Sequence, residues 1–157
     1  MNKITPFLTF NDQAEEAVNF YVSIFKNSKI LGTNRYAEGG PMPVGTLMSA
    51  SFVLDGREYM ALNGGPQFTF TDGFSLFVEC ETQAEVDEYW EKLSAGGEKG
   101  SCGWLKDRFG LSWQVIPSAL GELLGAEDPR KAQNVMQAML QMSKIDIAAL
   151  RQAYEQG

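Results

Sequence analysis

Residues 102–117 read CGWLKDRFGLSWQVIP. Alternating apolar residues predict strands over Gly103–Lys106 and Leu111–Ile116. The link between them, Asp107-Arg108-Phe109-Gly110, suits a tight hairpin. Its aspartate can bond its own backbone, and its glycine can take the positive φ that closes a short loop. Upstream of this hairpin, Phe74–Cys80 is β-prone, and Thr82 with Glu85 forms a capping box ahead of a helix. Val86, Tyr89, Trp90 and Leu93 make the apolar stripe of that helix, Gly96-Gly97 ends it, and a short strand near Glu98 follows. The predicted unit is β-α-β-β-β.

The same unit is predicted once more, earlier in the chain. Ile4–Phe10 reads as a strand, and Asp12 with Glu15 as a capping box. Ala14, Ala17, Val18, Tyr21, Val22 and Phe25 supply a helical stripe. Strands are expected over Lys29–Tyr36, Thr46–Leu54 and Glu58–Leu62, the last two joined by Asp55-Gly56, a strong hairpin signal. Gln13-Ala14-Glu15 of the first copy matches Gln83-Ala84-Glu85 of the second. Asn63–Gly73, rich in glycine and turn formers, reads as the connection between copies.

Downstream of the hairpin the pattern becomes helical: Ser118–Leu124, then a helix opened by Asp128-Pro129, then one capped by Asp146 with Ile145 and Leu150 as its staple. The expected organisation is an α+β fold of paired βαβββ modules over 1–117, the first 1–65 and the second 66–117. A helical extension over 118–157 is expected to pack on the same domain.

Composition narrows the function. The 157 residues are 44% apolar, enough for a sizeable core. A net charge of −7 disfavours nucleic acid and anionic membrane surfaces as partners. No apolar run approaches the roughly 18 residues of a membrane-spanning helix. The opening MNKITPFLTF lacks a signal-type apolar segment, so a cytoplasmic location is expected. Cys80 and Cys102 are expected as reduced thiols. Histidine is absent altogether, which removes the commonest general base and metal ligand together.

Thr5–Phe25 (TPFLTFNDQAEEAVNFYVSIF), 53–65 (VLDGREYMALNGG), 80–97 (CETQAEVDEYWEKLSAGG) and the 102–117 stretch resemble the PhnB-like proteins of the vicinal oxygen chelate (glyoxalase/bleomycin-resistance) superfamily. The resemblance extends into the tail AQNVMQAMLQMSKIDIAAL. It implies curved mixed sheets around a cavity, a homodimer, and a name some members carry, 3-demethylubiquinone-9 3-methyltransferase. It also implies a divalent metal held by four side chains, whose positions fall here on Thr5, Ala61, Gly73 and Gln114. Alanine and glycine offer no ligand, and threonine and glutamine weak ones, so no metal is expected there. Glu58, Glu79 and Glu81 form an alternative carboxylate set suited only to a harder ion. The glycine pairs at 39–40, 64–65 and 96–97 do not lie between a strand and a following helix, where a nucleotide-like cofactor usually sits. No cofactor is expected.

If the metal-equivalent positions face the cavity, strand alternation brings their neighbours with them. The expected cavity face is Thr5, Phe7 and Thr9; Tyr59, Ala61 and Asn63; Ser75, Phe77 and Glu79; and Ser112, Gln114 and Ile116. Trp104 and Lys106 could reach it, one to stack and one to meet an anion. Leu8, Phe10, Met60, Leu62, Leu76, Val78, Trp113 and Val115 are expected to face the helices. Three readings follow. One is a small-molecule-binding module whose ligand touches Thr5, Phe7, Thr9, Tyr59, Asn63, Ser75, Phe77, Trp104 and Gln114. The second is an enzyme using Glu79 or Tyr59 as acid or base. The third is self-association through a tail bearing Met136, Met139 and Met142.

Overall fold

The computed structural model describes residues 3–156. In order, its elements are β1 (Phe7–Phe10), α1 (Ala14–Ile24), β2 (Lys29–Arg35), β3 (Leu47–Leu54), β4 (Arg57–Asn63), β5 (Ser75–Cys80) and α2 (Gln83–Ser94). There follow β6 (Glu98–Lys99), β7 (Trp104–Lys106), β8 (Ser112–Pro117), α3 (Ser118–Leu124), α4 (Pro129–Met139) and α5 (Ile147–Glu155). The chain forms two compact units, Met1–Thr69 and Phe70–Gly157. Each contains one four-stranded mixed sheet, ordered β1-β4-β3-β2 in the first and β5-β8-β7-β6 in the second. The repeat is therefore architectural as well as sequential: the first strand of each module pairs parallel with its last.

In the first unit α1 packs on β3 and β4. Ala14, Ala17, Val18, Tyr21 and Ile24 are its buried stripe. Leu8, Phe10, Leu47, Ala50, Phe52, Leu54, Tyr59, Ala61 and Asn63 are the buried residues of the sheet. Asp55 and Gly56 both have positive φ, 49° and 79°, giving the type I′ turn that matches the twist of β3 and β4. Two expectations are corrected. Asp12 does not cap α1: the residue at that helix end is Gln13, with no side-chain cap bond. The orphan N–H of Ala14 instead donates to Asn63 Oδ1 at 2.8 Å. The second correction concerns β4. Parallel pairing sets Leu8 beside Ala61 and Phe10 beside Asn63, so Tyr59, Ala61 and Asn63 share the helix side with Leu8 and Phe10. Met60 and Leu62 take the other side with Phe7 and Thr9. The strand is one residue out of phase with its expected facing because Ala61, without bulk, sits on the side that α1 covers and Asn63 is needed at the start of that helix.

In the second unit the facing follows the expected alternation. Leu76, Trp113 and Leu105 lie in one row and Val78 beside Val115 in the next. This is the side on which α2 packs, through Val86, Trp90 and Leu93. Thr82 Oγ1 accepts from Glu85 N–H, and the Glu85 carboxylate reaches back to Glu81 N–H. Gly97 has a packing reason: a Cβ there would lie 2.1 Å from the Lys106 carbonyl. The tail helices gather around Ile116, Leu120, Val135, Ile145 and Leu150, all buried. Asp128 and Asp146 cap α4 and α5 as expected.

The hairpin between β7 and β8 is held by Asp107, 2% exposed. Its Oδ1 accepts from the N–H of Phe109 (2.9 Å) and of Leu111 (3.0 Å), and its Oδ2 from the Trp113 indole N–H (2.9 Å). One carboxylate thus ties the loop to the core side of the sheet, and bonds to a charged acceptor are the stronger kind. Asp107→Ala strands three buried or half-buried donors at once. A loss of about 2–4 kcal/mol is expected, read as the shift of the urea unfolding midpoint.

Candidate functional site

The side of the second sheet away from α2 carries two rows set by register. Ser75, Ser112, Lys106 and Glu98 form one row across the strands. Phe77, Gln114 and Trp104 form the next. Successive strands lie ~4.8 Å apart, so the two aromatic side chains stand about 10 Å from each other with Gln114 between them. Phe77 is 58% exposed and Trp104 37%, unusual for large aromatics in a sheet whose reverse side is buried. The Gln114 amide N–H donates to Ser75 Oγ at 3.0 Å. That bond directs the amide and leaves its carbonyl oxygen to serve as an acceptor.

Beside these rows lies an open groove of about 370 Å³, lined by Asp72, Glu98, Lys99, Gly100, Trp104, Leu105, Lys106 and Ser112. The Lys106 ammonium meets Asp72 Oδ1 at 2.9 Å, with both side chains well exposed. The bond to Asp72 holds the Lys106 pKa above its ordinary value, so the side chain is cationic at neutral pH. Because the pair is solvated, a ligand anion can take the place of Asp72.

Of the residues proposed from sequence, Ser75, Phe77, Trp104 and Gln114 come together on this face. Glu79 lies beside Ile116 at its far row and is exposed. Phe7, 50% exposed, and Thr9 share the corresponding side of the first sheet, with Thr5 half-buried just ahead of β1. Tyr59 and Asn63 stand on the helix side instead. Tyr59 is buried and stacked on Phe52, with ring centroids 5.6 Å apart, and burial raises its hydroxyl pKa. Asn63 is 1% exposed, and its Nδ2 donates to the Leu47 carbonyl at 2.9 Å. It joins β3, β4 and α1, which is a structural task. Sequence reasoning missed Glu98 and Lys99 as groove residues because a strand of only two residues, β6, has no periodicity to read, and Asp72 and Gly100 because they lie outside the strands. Cys80 is fully buried, and burial with the charges of Glu85 and Glu79 pushes its thiol up to about 12, so it is no nucleophile at neutral pH.

Among the described residues no three His, Cys, Asp or Glu side chains gather as an ion would require. Nor is any described helix long and apolar enough to cross a membrane.

The profile of the 3-demethylubiquinone-9 3-methyltransferase family matches residues 2–116. The chain belongs to this family. It is a PhnB-like member of the vicinal oxygen chelate superfamily. A PhnB protein from Bacillus cereus is similar to it at 41% identity, with a TM-score of 0.70 over 74% of this chain and 99% of that one. Protein PA1353 from Pseudomonas aeruginosa shares the fold at 23% identity and a TM-score of 0.61, over 74% of this chain and 98% of its own. So does the fosfomycin resistance protein FosX from Listeria monocytogenes, at 18% identity and 0.57, over 80% and 98%. No curated protein matches the chain. The family match ends at residue 116, so α3, α4 and α5 lie outside it.

Asn63→Ala leaves the Ala14 N–H and the Leu47 carbonyl without their partner. It is expected to cost about 2–3 kcal/mol in urea unfolding while leaving any binding at the Trp104 groove unchanged. A variant that stays fully stable but loses binding would return Asn63 to the ligand site.

Proposed function

We propose that the protein binds a small molecule without the superfamily's metal site, and that the ligand has a planar part and an anionic part. The observation that carries this reading is the row Phe77–Gln114–Trp104, two exposed aromatic side chains flanking an oriented amide. A planar group can pack against Trp104 or Phe77 and donate to the Gln114 carbonyl, while its anion meets Lys106 in the neighbouring row.

The donor chemistry supports the metal-free part. The superfamily positions carry Thr5, Ala61, Gly73 and Gln114. The observed register turns Ala61 toward α1 and puts Met60 or Leu62 on the other side, and neither supplies an imidazole or carboxylate. The residues at these positions do not fit the family's ion. The enzymatic alternative would rest on Glu79, which is exposed at the edge of the same face. Tyr59, buried on the helix side with a raised pKa, is poorly placed to exchange protons with a ligand there.

The test is titration with an aromatic anion, the fluorescent probe anilinonaphthalene sulfonate, followed by emission and by calorimetry. Trp104→Ala is expected to weaken binding about ten-fold, the loss of one stacking contact worth roughly 1.4 kcal/mol. Lys106→Ala should weaken it less and reduce its salt dependence. Exhaustive EDTA treatment should change nothing. A stoichiometric, tightly held divalent metal in the purified protein, or a Trp104→Ala variant that binds as wild type, would overturn the proposal.

A further inference from the structure

The segment between α4 and α5 is bonded to the wall of the groove. Cys102 and Gly103, consecutive residues with φ of 59° and 84°, turn their N–H groups onto the carbonyls of Met142 and Ser143, each at 2.8 Å. Ser143 Oγ donates to the Gly100 carbonyl. Gln83, at the start of α2, holds the same segment from the other side. Its Oε1 accepts from Ile147 N–H at 2.8 Å, and its Nε2 donates to the Ile145 carbonyl at 3.0 Å. Lys144 pairs with Asp87 at 2.9 Å.

Gly100 and Trp104 line the groove, and they are the two ends of the loop this segment grips. Gly100 N–H donates to the Trp104 carbonyl, and Trp104 N–H to that of Ser101. A non-glycine residue at positive φ costs free energy, and at Cys102 the bond to Met142 is the compensation the structure provides. The tail also closes one end of the face. Ile116, next along β8 on the side that carries Gln114, is buried among Leu120, Val135, Ile145 and Leu150. A Cβ on Gly103 would meet Ile116 Cδ1 at 2.6 Å and Ile145 Cγ1 at 3.2 Å, so loop, strand and tail are packed without slack.

We propose that the segment Met142–Ile147 is a strap that fixes the Gly100–Trp104 wall, with Ser143 and Gln83 as positioning residues for the ligand groove. The strap lies beyond residues 2–116, the part of the chain that the family profile matches. The consequence for ligands rests on the binding reading above; the mechanical claim does not.

The experiment compares wild type with Ser143→Ala/Gln83→Ala by three readouts: hydrogen exchange, acrylamide quenching of tryptophan, and affinity for anilinonaphthalene sulfonate. Trp90 and Trp113 are each 2% exposed, so quenching reports mainly on Trp104. The double variant is expected to lose protection at the Cys102 and Gly103 amides about ten-fold and to roughly double the quenching constant. Probe affinity should fall about five-fold while the thermal midpoint moves little. Lys144→Ala, which removes only an exposed ion pair, should match wild type. The strap is refuted if Ile147 N–H loses protection while Cys102, Gly103 and Trp104 behave as in wild type. Wild-type protein that fails to bind the probe, with the exchange and quenching changes still present, would sink the ligand reading and leave the strap standing.

Discussion

Parallel pairing between the first and last strand of each module is the constraint on which the rest depends. In a parallel pair the register fixes which residues share a side, and a slip of one residue would reverse every side chain of the strand. Leu8 beside Ala61 and Leu76 beside Trp113 are the pairs that settle this. Once they are set, one side of each sheet is committed to its helix, and whatever remains on the other is free to meet solvent or a ligand.

The two modules spend buried polar groups at different ends of the same scheme. Asn63 joins the last strand of the first module to the start of its helix and to β3. Asp107 gathers the turn before the last strand of the second, and its other oxygen reaches the Trp113 indole under α2. Both groups are satisfied on several sides, as burial of amides and carboxylates requires. Neither is available for chemistry. The polar and aromatic groups left open to solvent are those on the far sides of the sheets, Phe7 and Thr9 in the first and Phe77, Gln114 and Trp104 in the second.

Much of this was legible in the sequence. The hairpin at 107–110, the Thr82 cap, the Asp55-Gly56 turn and the caps at Asp128 and Asp146 each rest on a local rule that the fold obeys. So does the facing of β5 and β8, which alternate cleanly. The family resemblance reached the correct fold, and the repeated strand order agrees with it. The sequence misled at β4, where REYMALN alternates equally well in either phase. Only the pairing with β1, a contact some fifty positions away, decides between them. The same non-local contact hid the cap of α1, since Asp12 satisfies the local rule and Asn63 supplies the bond. The groove was half-visible for a related reason. Trp104 and Lys106 stand in a readable strand, whereas Glu98 enters through a two-residue strand and Asp72 through a turn.

Register leaves the Phe77–Gln114–Trp104 side of the second sheet as the side proposed to meet a ligand. The direct measurement is a nitrogen-15 NMR titration of the protein with an aromatic carboxylate, following the three tryptophan indole signals and the glutamine side-chain amides. The Trp104 indole and the Gln114 amide are expected to shift together and saturably, while the Trp90 and Trp113 indoles stay in place. Shifts confined to Trp90, Trp113 or the Asn63 amide would put the ligand on the helix side and contradict the proposal.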